Sequence, residues 1–229
     1  MEDVIPQVVF YLFGLPITNT VVSTWIMMII IIILVILIRK FKPDAGEMIV
    51  EFIENMISSV MPADANPAKY MTVLGTMAIF LILANILSII PFLVSPTANI
   101  NTTIALALII FFSVHFYGIK EKGLVGYLRD FANPIFMLPL EIVSQLSRTL
   151  SLSIRLFGNI LSTDLIVAIV FSLIPFIVPL PLAALGMLTG VLQAYIFTVL
   201  SSLYIGSAIE IEQNEKERQI LKREIAEAS

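Results

Sequence analysis

Ile17-Thr18-Asn19-Thr20-Val21-Val22-Ser23-Thr24-Trp25-Ile26-Met27-Met28-Ile29-Ile30-Ile31-Ile32-Ile33-Leu34-Val35-Ile36-Leu37-Ile38 runs directly into Arg39-Lys40-Phe41-Lys42-Pro43. A membrane-crossing helix needs about 20 mostly apolar residues rising about 1.5 Å each. This stretch supplies one, and three basic residues with a proline end it. The whole chain has the same character. Of its 229 residues 59% are hydrophobic and 13% charged, against the roughly 25% charged residues of an ordinary soluble domain. No cysteine is present, which excludes a disulfide framework, a thiolate metal site and a cysteine nucleophile. Met1 to Gln7 lacks the basic start of a secretory signal, so the first apolar segment is expected to be retained.

Outward from that segment the pattern changes and then repeats. Over 45–61, Met48, Ile49, Phe52, Ile53, Met56, Ile57 and Val60 share one helical stripe, with Glu47, Glu51, Glu54 and Ser58 opposite. That helix lies along a surface, and its acidic face favours packing on protein at least as much as adhesion to anionic headgroups. A loop with Pro62, Asp64, Asn66 and Pro67 leads to a second span over 70–94, whose interior holds Asn85. An uncharged turn leads to a third span over 101–118, followed by Lys120, Lys122 and Arg129. Asn133-Pro134 and Pro139 precede a long helix over 136–173. Pro175, Pro179 and Pro181 break it, and a last apolar helix covers 181–210, with a charged tail over 211–229 that extends it into water. The expected fold is therefore all-α and polytopic: one membrane domain over 1–229, with five crossing helices, one amphipathic interfacial helix, and a closing two-helix hairpin.

Arg39, Lys40, Lys42, Lys69, Lys120, Lys122, Arg129, Lys216, Arg218, Lys222 and Arg223 all fall on one side of this five-pass map. The positive-inside rule then puts the N-terminus outside and the C-terminus in the cytoplasm, as an odd number of crossings requires. Arg148 and Arg155 remain, both inside the fourth spanning region.

An arginine near the centre of an apolar helix costs about 2.5–3.5 kcal/mol on insertion scales and cannot shed its charge. Glu141, Arg148 and Arg155 recur every seven positions, which at about 100° per residue returns to nearly one face. Ser144, Ser151, Asn159 and Ser162 lie within or beside that stripe, so this side faces protein or water, not lipid. Asp164 is nine residues beyond Arg155, about 180° around the helix, and is expected to meet the last helix. That helix carries Gln193, Tyr195, Ser201, Tyr204 and Ser207, with Gly186 and Gly190 at the small-xxx-small spacing that lets helices approach.

Ser151-Leu152-Ser153-Ile154-Arg155-Leu156-Phe157-Gly158-Asn159 and Leu192-Gln193-Ala194-Tyr195-Ile196-Phe197 resemble the signature of subunit a of F-type ATP synthases, in its bacterial form. The resemblance covers the hairpin closely and the rest of the chain in topology. It implies that Arg155 is the family's essential arginine, Asn159 its polar neighbour, Glu141 and Asp164 channel carboxylates, and Gln193 the amide of the last helix. Arg148, Ser144, Ser151 and Tyr195 are secondary candidates. It further implies a stator with two aqueous half-channels that load and unload protons or sodium ions on a rotating ring of c subunits. The last two helices would then be strongly tilted along that ring, with peripheral-stalk b subunits and membrane lipid as further partners, in a bacterial plasma membrane. Two departures bear on mechanism: Asp164 is one methylene shorter than the family's usual glutamate, and Gly186 stands where some members have histidine. A titrating histidine–carboxylate pair is therefore not expected there.

Blander readings stand beside these. Arg148 either snorkels to the interface or pairs with Glu141, and Glu141 is either a half-channel group or a first-turn acid favoured by the helix dipole. Asp164 could be a hydrogen-bonded buried acid, and Gln193 an interhelical hydrogen-bonding residue. His115, the only histidine, makes neither a metal site nor a relay and reads as interfacial, and the two glycines read as packing. No phosphate-cradling loop, zinc-protease motif or nucleophile elbow occurs, so no cofactor, bound nucleotide or ATP chemistry is expected of this chain itself. The basic residues are topology markers, which leaves no nucleic-acid face. The alternative from another class is a self-contained secondary transporter of an ion or solute using Arg155 and Asp164. No internal repeat of the kind many transporters show is visible.

Overall fold

The computed structural model describes residues 8–12, 14–62, 65–87, 94–131, 138–174 and 178–227, with side chains for all of these except 10, 12, 15, 125, 128–131, 138 and 210–227. Outside it lie the acidic start at Glu2 and Asp3, Asp64 of the second loop, the 88–93 end of the second span, Asn133-Pro134, and Pro175. The chain is a helical membrane protein. It begins, however, with an antiparallel pair, β1 (Val8–Leu12) and β2 (Leu15–Thr18), that the periodicity does not announce. Gly14, at φ 82°, turns one strand into the other in a left-handed conformation open to glycine.

α1 (Asn19–Phe41) is the first span. Only Thr20, Ser23 and Met27 of it are buried, so from Ile29 onward it presents apolar side chains outward on most sides. Such a helix is stable only in lipid. Pro43 opens α2 (Pro43–Ser58) one residue later, at the helix start where its missing N–H costs nothing. α2 is the expected amphipathic helix and divides its stripe: Ile53, Met56 and Ile57 enter the core, while Met48, Ile49 and Phe52 stay exposed.

α3 (Ala68–Leu87) is the second span, followed by a 3-10 turn at Pro96–Ala98. α4 (Ile100–Phe131) runs past the expected end of the third span and breaks at Gly123, whose φ of 72° no helix accommodates. α5 (Leu138–Leu173) and α6 (Pro179–Glu227) form the hairpin, and α6 continues through the charged tail without a break. Five helices are long and apolar enough to cross a membrane. In α5 that stretch has 35 residues, roughly 52 Å at 1.5 Å per residue, against a hydrocarbon layer of ~30 Å. A helix of this length must lie far from the membrane normal to stay within the layer.

The core gathers where α2, α3, α4, α5 and α6 meet, around Ile57, Tyr70, Leu74, Ile110, Leu156, Phe197 and Ile205. One end of the bundle collects the described basic markers. Lys69 at the start of α3 pairs with Glu121 on α4 at 2.9 Å, Tyr70 and Tyr117 meet edge to face at 4.9 Å, and Gly206 of α6 packs against Pro62. Close by, the Tyr127 ring lies over Gly118, leaving no room for a side chain there. Burial, and secondarily the Glu141 carboxylate at the start of α5, raises the Tyr127 phenol above its ordinary value.

Candidate functional site

Helical periodicity explains how α5 distributes its polar residues. Seven residues fall about 20° short of two full turns, so a row spaced by seven drifts around the helix. Glu141 and Arg148 accordingly sit half-buried while Arg155 has turned out to the exposed surface. Its Nη2 donates to Ser151 Oγ, one turn back, at a long 3.5 Å. Among the described residues no carboxylate lies within ion-pair distance of it. Apolar side chains also face outward along both hairpin helices, among them Leu150 (56% exposed) and Ile154 (59%) on α5 and Leu192 and Ile196 on α6, with Tyr195 exposed as well.

Two contacts set the antiparallel register of the hairpin. Thr163 of α5 meets Gly186 of α6, and the Arg148 guanidinium lies 5.4 Å above the Tyr204 ring. Counting along both helices from these fixed points places Arg155 level with Ala194 to Phe197, and Asn159 level with Gly190 to Gln193. Gln193 is 6% exposed. Its Nε2 and the Nδ2 of Asn159 are both buried with no hydrogen-bond acceptor in reach among the described residues. Two amide groups near one level of a helix pair, both buried with donors to spare, depart from the rule that buried polar groups are hydrogen-bonded.

The remaining sequence candidates fall where geometry decides between open readings. Arg148 makes no ion pair with Glu141; its guanidinium lies over Tyr204, a cation–π contact between the hairpin helices. Glu141 accepts from Gln145 Nε2 at 3.0 Å, one turn along its own helix. Asp164 is exposed, and the residue that seats against the last helix is its neighbour Thr163. One position along a helix is a rotation of about 100°, enough to exchange the two roles. The two glycines of α6 also part company. Gly186 receives Thr163 of α5, whereas Gly190 receives the Asn85 carboxamide of α3. Ser144 is half-buried and Ser151 exposed beside Arg155, while His115 bonds through Nδ1 to Phe111 O at 2.7 Å beside the Phe111 ring.

Sequence reasoning passed over a second polar region. At the end of the bundle away from Lys69, Thr18 bonds Thr20 (2.8 Å), Asn99 donates to Thr20 (3.3 Å), and the Val94 N–H donates to Ser23 (3.3 Å). Ser95 bonds Thr97 (2.8 Å), and Thr103 bonds Ser153 of α5 (3.2 Å). Ser95, Thr97, Thr103 and Ser153 are buried. The signal was available in the Ser, Thr and Asn content of 95–103, read only as a short turn. Among the described residues no group of His, Cys, Asp or Glu is arranged to hold a metal ion.

The family profile described as ATP synthase A chain matches residues 21–206, which include Glu141, Arg148, Arg155, Asn159, Asp164 and Gln193. The chain belongs to this family. It is similar to ATP synthase subunit a 2 of Bradyrhizobium sp. (strain BTAi1), with 43% identity over 208 residues, 87% of this chain and 92% of that protein. ATP synthase subunit a of Albidiferax ferrireducens is 40% identical over 213 residues, 88% of this chain and 91% of its own length. ATP synthase subunit a of Moorella thermoacetica is 35% identical over 217 residues, 91% and 99% of the two chains. Membership makes the chain a membrane-sector subunit of an ATP synthase. With five apolar spans and relatives of this kind, it is a multi-pass bacterial membrane protein.

Proposed function

We propose that this subunit is the stationary part of a rotary ion path, and that it makes no ATP itself. It offers two aqueous half-channels to a ring of c subunits, and Arg155 stands between them. The observation that carries the reading is an uncompensated charge on an exposed surface of an apolar hairpin: Arg155 is exposed on a helix whose Leu150 and Ile154 also face outward, with no described carboxylate within ion-pair distance. Lipid cannot be what covers it, since guanidinium stays charged and costs several kcal/mol there. A rotating surface that presents membrane-embedded carboxylates can cover it, and forms a charge-assisted pair with each one as it arrives emptied of its ion.

In this reading an ion enters through one half-channel, neutralises a ring carboxylate, travels round facing lipid, and leaves through the other. Arg155 blocks the direct passage by repelling cations. Asp164, exposed nearly two turns and a half beyond Arg155, serves one access path, and Glu141, toward the Lys69 end, serves the other. The buried amides of Asn159 and Gln193, about one turn from the arginine along the hairpin, hold water or a passing carboxylate. The basic end of the bundle faces the cytoplasm and the β1–β2 end faces outside, with peripheral-stalk b subunits as further partners. The coupling ion is a proton or sodium. Ion-driven ATP synthesis and passive leak in vesicles carrying the whole complex test the reading. With Arg155→Ala at matched assembly, coupled synthesis disappears; synthesis that persists would make the arginine structural. Proton-driven and sodium-driven runs of the unaltered complex name the ion.

A further inference from the structure

Gly186 and Thr163 fit each other in a way that general close packing does not require. A methyl group added to Gly186 would overlap Thr163 Cγ2, while Thr163 Cβ and Oγ1 would remain at 3.4 and 3.6 Å, ordinary contact distances. The obstruction is thus one methyl group. Its direction is fixed from behind: Thr163 Oγ1 donates to Asn159 O at 3.0 Å, one turn back on α5, and that bond selects the rotamer that points Cγ2 at Gly186. Gly190, one turn further along α6, differs. A methyl there would meet Asn85 Oδ1, Cγ and Cβ at 2.6, 2.8 and 3.1 Å, a whole side chain of α3.

We propose that Thr163 is a positioning residue. Its methyl, seated in the notch left by Gly186, sets the axial register of α5 on α6, and so the level at which Arg155 stands against Ala194 to Phe197 and the outward direction of Asp164. Two helices in lipid have no hydrophobic force holding them in one register, so a knob and its notch must do it. A step of one helical residue is about 1.5 Å, and misplacing a working group by about 1 Å can cost on the order of 100-fold in rate. The proposal relies on the ion-path reading only for the activity it monitors.

The test compares five complexes with the unaltered one: Gly186→Ala, Thr163→Ser, the two together, Gly190→Ala, and Thr163→Ser with Gly190→Ala. Serine keeps the hydroxyl bond to Asn159 O and removes only the obstructing methyl. Gly186→Ala is expected to lower ATP synthesis per assembled complex by about tenfold or more. Adding Thr163→Ser to it restores most of the loss, and the same change does nothing for Gly190→Ala. If Gly186→Ala fails to assemble, recovery of both assembly and coupling in the double variant carries the same meaning. A Gly186→Ala complex as active as the unaltered one overturns the proposal. So does a double variant no better than Gly186→Ala, one that assembles without regaining coupling, or an equal rescue of Gly190→Ala. Arg155→Ala, measured alongside, reports separately on the ion path: were it still coupled, that reading would fail, and the Thr163–Gly186 compensation would still be read in the thermal stability of the assembled complex.

Discussion

The hydroxyl network at Thr20, Ser95, Thr97, Asn99, Thr103 and Ser153 and the surface around Arg155 are two polar regions of a largely apolar molecule, built on opposite terms. In the first, small neutral groups answer one another across α1, the 3-10 turn, α4 and α5 at 2.8–3.3 Å, mostly buried. In the second, a permanent charge meets only a long bond to Ser151, and two buried amides keep donors without acceptors. Polar groups that satisfy each other hold helices together. Polar groups left unsatisfied at membrane depth need something outside the chain, and under the proposed function that difference separates scaffold from working surface.

Substitutions sharpen the contrast. After the loss of coupling expected of Arg155→Ala, the next largest effect is expected of Arg155→Lys, which keeps the charge and loses the planar fork. Synthesis per assembled complex should fall by about tenfold or more, because a single ammonium cannot reproduce a bidentate pair. Near-normal synthesis would reduce the arginine to a point charge. Arg148→Ala removes the contact with Tyr204, and a lower melting temperature of the complex, corresponding to about 0.5–1 kcal/mol, should accompany largely intact coupling. A loss of coupling as deep as that of Arg155→Ala would move Arg148 into the working surface. Thr103→Val deletes one bond of the satisfied network. Interhelical hydrogen bonds in membranes average about 0.6 kcal/mol, so only a slight drop in thermal stability is expected, with synthesis unchanged. Impaired ion entry in that variant would mean that the hydroxyl network conducts and that the contrast between the two regions is false.

The sequence made the spans legible because an apolar run of membrane length has few alternatives, and it singled out Arg155 because a permanent charge in an apolar helix is costly. Periodicity also placed Glu141, Arg148 and Arg155 on one row, and their graded exposure is that row's drift. What it could not supply was the neighbour. Angles within one helix are fixed by its own geometry, whereas contacts depend on how two helices slide and rotate. For that reason Thr163 rather than Asp164 occupies Gly186, Gly190 faces α3 rather than α5, and Arg148 finds Tyr204. The β1–β2 pair and the break at Gly123 escaped for another reason. Short strands and single left-handed glycines leave a local trace too weak to stand out beside long helical runs.

The central claim is that a moving ring covers the Arg155 face, and the absence of native cysteine lets it be tested directly. A single cysteine at Ile154, with a partner cysteine on the outward helix of the ring subunit, should form a disulfide in the resting complex. That bond should stop ion-driven ATP synthesis until a reductant restores it, whereas a cysteine at Leu34 on α1 should form none. No cross-link at Ile154, or a cross-link that leaves synthesis running, would contradict the account.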